Sequence, residues 1–145
     1  MLSKTPSSYL SILLFSSILF LNSCNPIPVE TPLKPTRITE ANITPTSPVT
    51  LNFGDHIDVS FKYISNLSKP LTIFVFPYTN GKRNPNWGNS GSPIGGYPVP
   101  SGSGTAFVTV TKGASVVDQL HFEIYDAYEG NLIYSEDKAV NFTFK

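Results

Sequence analysis

A strict alternation of apolar and polar side chains over residues 56–63 limits most strongly what this chain can fold into. Ile57, Val59 and Phe61 fall on one side of an extended strand, and the polar residues between them fall on the other. Later segments repeat this period of two. Helical spacing is nowhere sustained after residue 36, because proline or glycine interrupts it. The pattern therefore predicts an all-β domain.

We predict about seven strands after residue 36, a spacing typical of all-β domains. Pro45 and Pro48 break the first strand, and proline is tolerated at a sheet edge, so we expect this strand to be an edge. Residues 129–131 (Glu-Gly-Asn) are a turn signal. The predicted strand segments are 37–44 with 48–51, 56–63, 71–76, 104–111, 116–126, 132–135 and 139–144.

The turn and strand of residues 53–61, with the hairpin pattern of residues 120–144, resemble the immunoglobulin-like domains of bacterial surface proteins. The resemblance spans most of residues 37–145 and implies an antiparallel two-sheet sandwich with one long loop. It concerns the architecture only, because the chain has a single cysteine and so lacks the pair that joins the sheets of antibody domains. Such architectures host many unrelated functions, so the resemblance implies no activity.

The first 23 residues have the pattern of an export signal. Residues 10–21 form a mostly apolar run, too short for a bilayer span of about 20 residues, that ends just before Cys24. Residues 21–24 (LNSC) resemble the lipobox of bacterial lipoproteins, although Asn22 departs from the usual small or aliphatic residue. In that family the leader is cut before the cysteine, whose thiol carries a diacyl group with fatty acids such as palmitate. An incidental cysteine in an ordinary leader is the alternative.

The resemblance divides the chain into a lipoprotein signal peptide (1–23), a proline-rich tether (24–36) and an immunoglobulin-like domain (37–145). Four prolines in the tether oppose helix and sheet and favour an extended spacer, although a flexible terminus has the same composition. Acylated Cys24 then makes the membrane a partner and places the protein in the cell envelope. Asn25 differs from the Asp of an inner-membrane retention signal, which favours the outer membrane.

Charge and motif content argue against several functions. Loss of Lys4 with the leader takes Lys+Arg from 10 to 9 against 10 Asp+Glu, a formal charge of −1, and no basic stripe favours nucleic acid as a partner. No nucleophile elbow, zinc-protease or phosphate-loop motif occurs. His121 and Glu123 offer two metal ligands on one strand face, but no third follows nearby. We predict no enzyme activity, catalytic residue, metal or cofactor.

Residues 79–103 are the longest segment without a strand or helix pattern. They are rich in Gly, Pro, Asn and Ser, and they contain Trp87, the only tryptophan, together with Tyr97. Loops longer than about 12–15 residues without structure are uncommon in compact domains and are often functional. The sequence therefore predicts one long loop that carries two aromatic side chains.

The strand over residues 71–76 is apolar on both faces. If its aliphatic side chains fill the core, the period of two puts Phe74 and Phe76 on the outer face. An exposed aromatic row needs a cover or a partner. Trp87 or Tyr97 either folds back over the two rings, which is our first expectation, or joins them in a platform for an envelope protein or a glycan.

The sequence thus predicts a non-enzymatic, lipid-anchored envelope protein whose single domain is a surface binding or interaction module. One alternative is a structural or accessory subunit of an envelope assembly, with Phe74 and Phe76 as a protein interface. The other is a carbohydrate-binding module that uses the loop aromatics.

The anchor yields the first testable prediction. We expect the mature N-terminus to be acylated Cys24, because the lone cysteine directly follows the apolar run. Intact-mass measurement of membrane-extracted protein should show the leader lost and acyl mass gained, and Cys24→Ala should release the protein from the detergent phase. An unmodified mature chain that starts elsewhere would contradict the prediction.

Overall fold

The computed structural model describes residues 35–145; the predicted signal segment, Cys24 and the tether up to residue 34 lie outside the described residues. The described part is all-β, as predicted, and none of it is a helix long and apolar enough to cross a membrane. Its strands are β1 (Arg37–Thr44), β2 (Val49–Leu51), β3 (Ile57–Ile64), β4 (Leu71–Thr79), β5 (Lys82–Arg83), β6 (Trp87–Asn89), β7 (Ser101–Val110), β8 (Ser115–Asp126) and β9 (Leu132–Phe144).

The strands form two sheets. Sheet A has the order β1-β3-β7-β6, and sheet B has the order β2-β9-β8-β4-β5. The broken first strand is an edge, but its two parts lie in different sheets. Because the chain changes sheets between β1 and β2, β2 runs parallel to β9, with Val49 opposite Phe142, so the expectation of purely antiparallel pairing is wrong at this pair.

One hydrophobic core lies between the two sheets. The predicted inward rows are confirmed: alternate residues of β3 and β8 are buried, and Phe61 of sheet A meets Phe122 of sheet B edge to face with ring centroids 6.1 Å apart. The final two predicted strands are one continuous strand, β9, and Phe142 and Phe144 near its end are buried in the core. The largest fully buried side chains are Tyr63, Phe122, Phe142, Phe144, Ile57, Leu71, Ile73, Leu120, Ile124, Val59, Val75 and Val108.

Strand β7 has glycines at the positions that face large aromatic rings of the core. It begins at Ser101, three residues before its predicted start, and its first inward positions are Gly102 and Gly104. A Cβ atom at Gly104 would lie 2.5 Å from Tyr97 Cε1 and 2.6 Å from Phe61 Cζ. Glycine is therefore required there by close packing against two aromatic rings.

This packing predicts that Gly104→Ala destabilises the domain by about 1–3 kcal/mol, as overpacking does in a filled core. Gly91→Ala is the matched control, since a Cβ there meets nothing within 4 Å. Urea unfolding of both variants measures the difference. Equal stabilities would show that the Tyr97 and Phe61 rings do not fill the space over β7.

Candidate functional site

The segment after β5 closes the free edge of β4. Tyr97 exchanges two backbone hydrogen bonds with Leu71, of 2.9 and 2.7 Å. The Ser92 hydroxyl accepts a 2.8 Å hydrogen bond from the N–H of Ile73 and donates a 3.1 Å hydrogen bond to the carbonyl oxygen of Ile73. An uncovered edge would leave these groups open to pairing with another chain. The expectation that residues 79–103 lack strands is wrong, because β5 and β6 lie within them.

Tyr97 belongs to the core. Its side chain is 6% exposed, and its ring packs edge-on against Phe61 and Tyr63, with centroids 5.6 and 5.7 Å away. Phe74 and Phe76 lie on the opposite, outer side of sheet B, since they alternate with buried Ile73 and Val75 on β4. The structure therefore does not bring Tyr97 together with the two phenylalanines. An aromatic residue in a proline- and glycine-rich segment gave no sequence signal of burial.

Trp87 covers the outer row, as first expected. Its ring meets Phe76 edge to face, with centroids 4.9 Å apart and planes at 85°. Phe76 is only 5% exposed as a result, and it also stacks on Phe74 at 5.7 Å. Phe74 in turn meets the ring of Tyr125 at 6.0 Å. Asn89, at the end of the same strand β6, donates a 3.1 Å hydrogen bond to the carbonyl of Val75.

Arg83 is the cation of this site. Its guanidinium carbon lies 3.6 Å from the centroid of Phe76 and 5.8 Å from that of Trp87, within the range of a cation–π contact. The Asn80-Gly81 pair was a sequence signal for the turn that makes this contact. Asn80 and Gly81 have positive φ values of 50° and 72°, which make the tight hairpin turn typical of Asn-Gly and return Arg83 to the side of β4.

A buried carboxylate, that of Glu123, bonds both the cation and one of the aromatic residues. The Glu123 side chain is 8% exposed, and its Oε1 accepts a 2.7 Å bond from Arg83 Nη2. Its Oε2 accepts a hydrogen bond from the Tyr125 hydroxyl. Burying a carboxylate is costly unless it is paired, and here both oxygens have partners. The hydrogen bond to Glu123 raises the pKa of Tyr125 to about 12, because loss of the proton would place a phenolate against a carboxylate.

His121 extends the cluster without making a metal site. Its Nδ1 lies 2.7 Å from Asp137 Oδ1, its Nε2 lies 3.5 Å from Glu123 Oε1, and its ring stacks on Tyr78. The two carboxylates thus bind opposite ring nitrogens and do not converge on one point. Within residues 35–145, no group of three His, Cys, Asp or Glu side chains is placed to hold a metal ion.

We call the outer surface formed by Phe74, Phe76, Tyr78, Trp87 and Tyr125, with Arg83, the aromatic face. No protein-family model matches the chain, and no curated protein matches it. In the aromatic face, half-buried rings pack around the buried ring of Phe76, and the guanidinium of a partly exposed arginine is held by a buried carboxylate.

The cover predicts the effect of removing the indole. Trp87→Ala should expose Phe76, lower the free energy of unfolding by about 1–3 kcal/mol and promote self-association. Ile94→Ala is the control from the same segment, because Ile94 is fully exposed, and it should change stability by no more than about 0.5 kcal/mol. Thermal melts with light scattering test both variants. A Trp87→Ala protein as stable as the control would refute the packing role.

Proposed function

We propose that the protein is a non-enzymatic, lipid-anchored component of the cell envelope whose single immunoglobulin-like domain binds a protein partner through the aromatic face. The lipobox-like residues 21–24 support the anchor. They favour acylated Cys24 as the attachment to the membrane, with the outer membrane suggested by Asn25. The observation that carries the binding role is the composition and rigidity of the aromatic face.

The strand order supports the immunoglobulin-like architecture. Constant-type immunoglobulin domains have strands A-B-E-D in one sheet and C-F-G in the other. If β2 and β5 are additional edge strands, the remaining seven take the letters A to G in chain order. Sheet A then has the order A-B-E-D, and sheet B contains G-F-C. This likeness supports the fold and carries no activity.

The aromatic face has the composition of an interaction hot spot. Hot spots at protein interfaces are enriched in tryptophan, tyrosine and arginine, and the aromatic face carries Trp87, Tyr78, Tyr125 and Arg83. Each ring is already fixed by a neighbour, so little side-chain freedom remains to be lost on binding. Arg83 bonds Glu123 through Nη2, but its side chain is 38% exposed, so other N–H groups of the guanidinium can meet a carboxylate of the partner.

The geometry favours a protein partner over a glycan. A sugar ring needs an open aromatic plane. One plane of Phe76 lies under Arg83, the half-buried Trp87 packs against Phe76, and Tyr97 is in the core. Phe74 and Tyr78 offer only half-buried rings. Partly covered rings beside a cation are better suited to contact with an uneven protein surface than to stacking of a sugar ring.

Site-specific photo-crosslinking in the native envelope tests this proposal. A benzoylphenylalanine at Phe74 should capture one protein of defined mass. The matched control is the same probe at Phe107, a half-buried phenylalanine on the outer face of sheet A, which should capture none. Arg83→Ala, introduced with the Phe74 probe, should reduce capture at least about tenfold, since a lost charged hot-spot contact typically exceeds 1.4 kcal/mol.

The melting temperature of each variant shows whether a loss of capture reflects unfolding. Equal capture from Phe74 and Phe107, or no effect of Arg83→Ala, would contradict binding through the aromatic face. A glycan-array signal that Phe74→Ala abolishes would instead favour the carbohydrate alternative.

A further inference from the structure

A second surface lies at the end of the domain where the tether enters. Of the six exposed large apolar side chains among the described residues, four lie at this end, Ile94 at 107%, Tyr128 at 73%, Leu132 at 55% and Ile133 at 39%, whereas Phe53 and Val116 lie at the opposite end. Single exposed apolar residues are ordinary on a protein surface, but several at one end are not. We call these four side chains the apolar tip.

The contacts among the loops place the tip residues at one end. The Ala127 N–H bonds the Pro70 carbonyl at 3.0 Å. A Cβ atom at Gly96 would lie 3.4 Å from the Cβ of Ala127, so the segment that carries Ile94 runs beside the β8–β9 turn that carries Tyr128. Leu132 opens β9 directly after that turn.

The chain enters the domain at this same end. Arg37, the first residue of β1, pairs with Ile64, the last residue of β3. Thr36 Oγ1 lies 3.0 Å from the hydroxyl of Ser65 and 3.0 Å from Asn66 Oδ1, in the loop that leads to Pro70. The chain therefore enters the domain, at residues 35–36, at the end that carries the apolar tip.

The reach of the tether decides which end meets a bilayer. Residues 25–36 lie between Cys24 and β1, and twelve residues span at most roughly 40 Å when fully extended. Strand β8 alone has 12 residues, or roughly 40 Å at about 3.3 Å per residue. The far end of the domain could touch the bilayer only with the whole tether stretched along its side, whereas the near end needs almost none of that length.

We infer that the apolar tip rests on the lipid surface to which Cys24 is anchored, so that the domain stands on the membrane with its tether end down. The inference rests on the lipid anchor of the proposed function. Tyrosine suits the boundary between headgroups and acyl chains because its ring is apolar and its hydroxyl is polar. In this orientation the strands run away from the membrane, and the aromatic face points parallel to the membrane plane, where a neighbouring envelope protein can contact it.

The charges at this end predict that contact does not depend on the charge of the lipid headgroups. Among the described residues at the tether end, the basic side chains are Arg37 and Lys69, and the acidic ones are Asp126 and Glu129. Lys69 forms ion pairs with both acidic groups. Because the charges balance, attraction to anionic headgroups contributes little. Contact should therefore occur on purely zwitterionic phosphatidylcholine, driven by the apolar side chains.

Depth-dependent quenching with the full-length lipoprotein tests the inference. The protein is expressed with its leader and reconstituted in phosphatidylcholine vesicles whose acyl chains carry a nitroxide. Acylation occupies Cys24, so Tyr128→Cys, Ile94→Cys and Phe53→Cys each provide a single thiol for a fluorescent label. Phe53 is the matched control: it is 40% exposed, and its neighbour Gly54 bonds Val110 at the far end of β7.

The lipid nitroxide should quench labels at positions 128 and 94 several-fold more than the label at position 53, while aqueous iodide should show the reverse order. Equal lipid quenching at all three positions would mean that the domain lies on its side, and no lipid quenching at 128 and 94 would mean that the tip is free. Either result overturns the inference.

Flotation of the unlabelled protein separates this failure from failure of the anchor. If wild type floats with the vesicles and Cys24→Ala does not, the anchor holds and the quenching result alone decides the orientation. If neither floats, or both float equally, the lipid anchor is wrong and the orientation inferred from it falls as well.

Discussion

Strand β4 is apolar on both faces and lies next to the edge of sheet B, and the rest of the structure depends on covering it. Its inner face completes the core, but its outer face carries Phe74 and Phe76, and β5 pairs with it only at Tyr78 and Thr79. Most of the edge and the outer row must therefore be covered by the chain that follows. The return of that chain supplies Trp87 to the outer side and Tyr97 to the inner side. One segment thus completes both the core and the candidate site.

Local sequence pattern predicted the strands that are long enough for their alternation of apolar and polar residues to be visible. Residues 57–63 of β3 and 120–124 of β8 alternate with period two, and the structure buries the apolar members of both. The same period put Phe74 and Phe76 on the outer face, and the need to shield them predicted a cover by Trp87 or Tyr97, of which the structure places Trp87 there. These inferences succeed because side-chain direction along a strand is fixed by the backbone itself.

The features that the sequence did not reveal depend on contacts between distant residues. Strand β6 has three residues, too few for alternation to be visible, and it exists because Val110 and its neighbours on β7 offer it a partner. The burial of Tyr97 depends on the space above Gly104, which only the pairing of β3 with β7 creates. The link between Arg83 and Glu123 joins residues forty positions apart. Such contacts leave no periodic trace, so the site was recognised only in part.

Amide hydrogen exchange at Leu71 and Ile73, measured by NMR in the folded protein, tests most directly whether the segment after β5 covers β4. Their N–H groups point away from β8, and their acceptors are the carbonyl of Tyr97 and the hydroxyl of Ser92. If residues 84–100 are a folded cover of β4, both amides should exchange as slowly as those of the central strands, and Ser92→Ala should speed exchange at Ile73 alone. Exchange at both amides as fast as in an open loop would contradict this cover, because β4 would then be an uncovered edge.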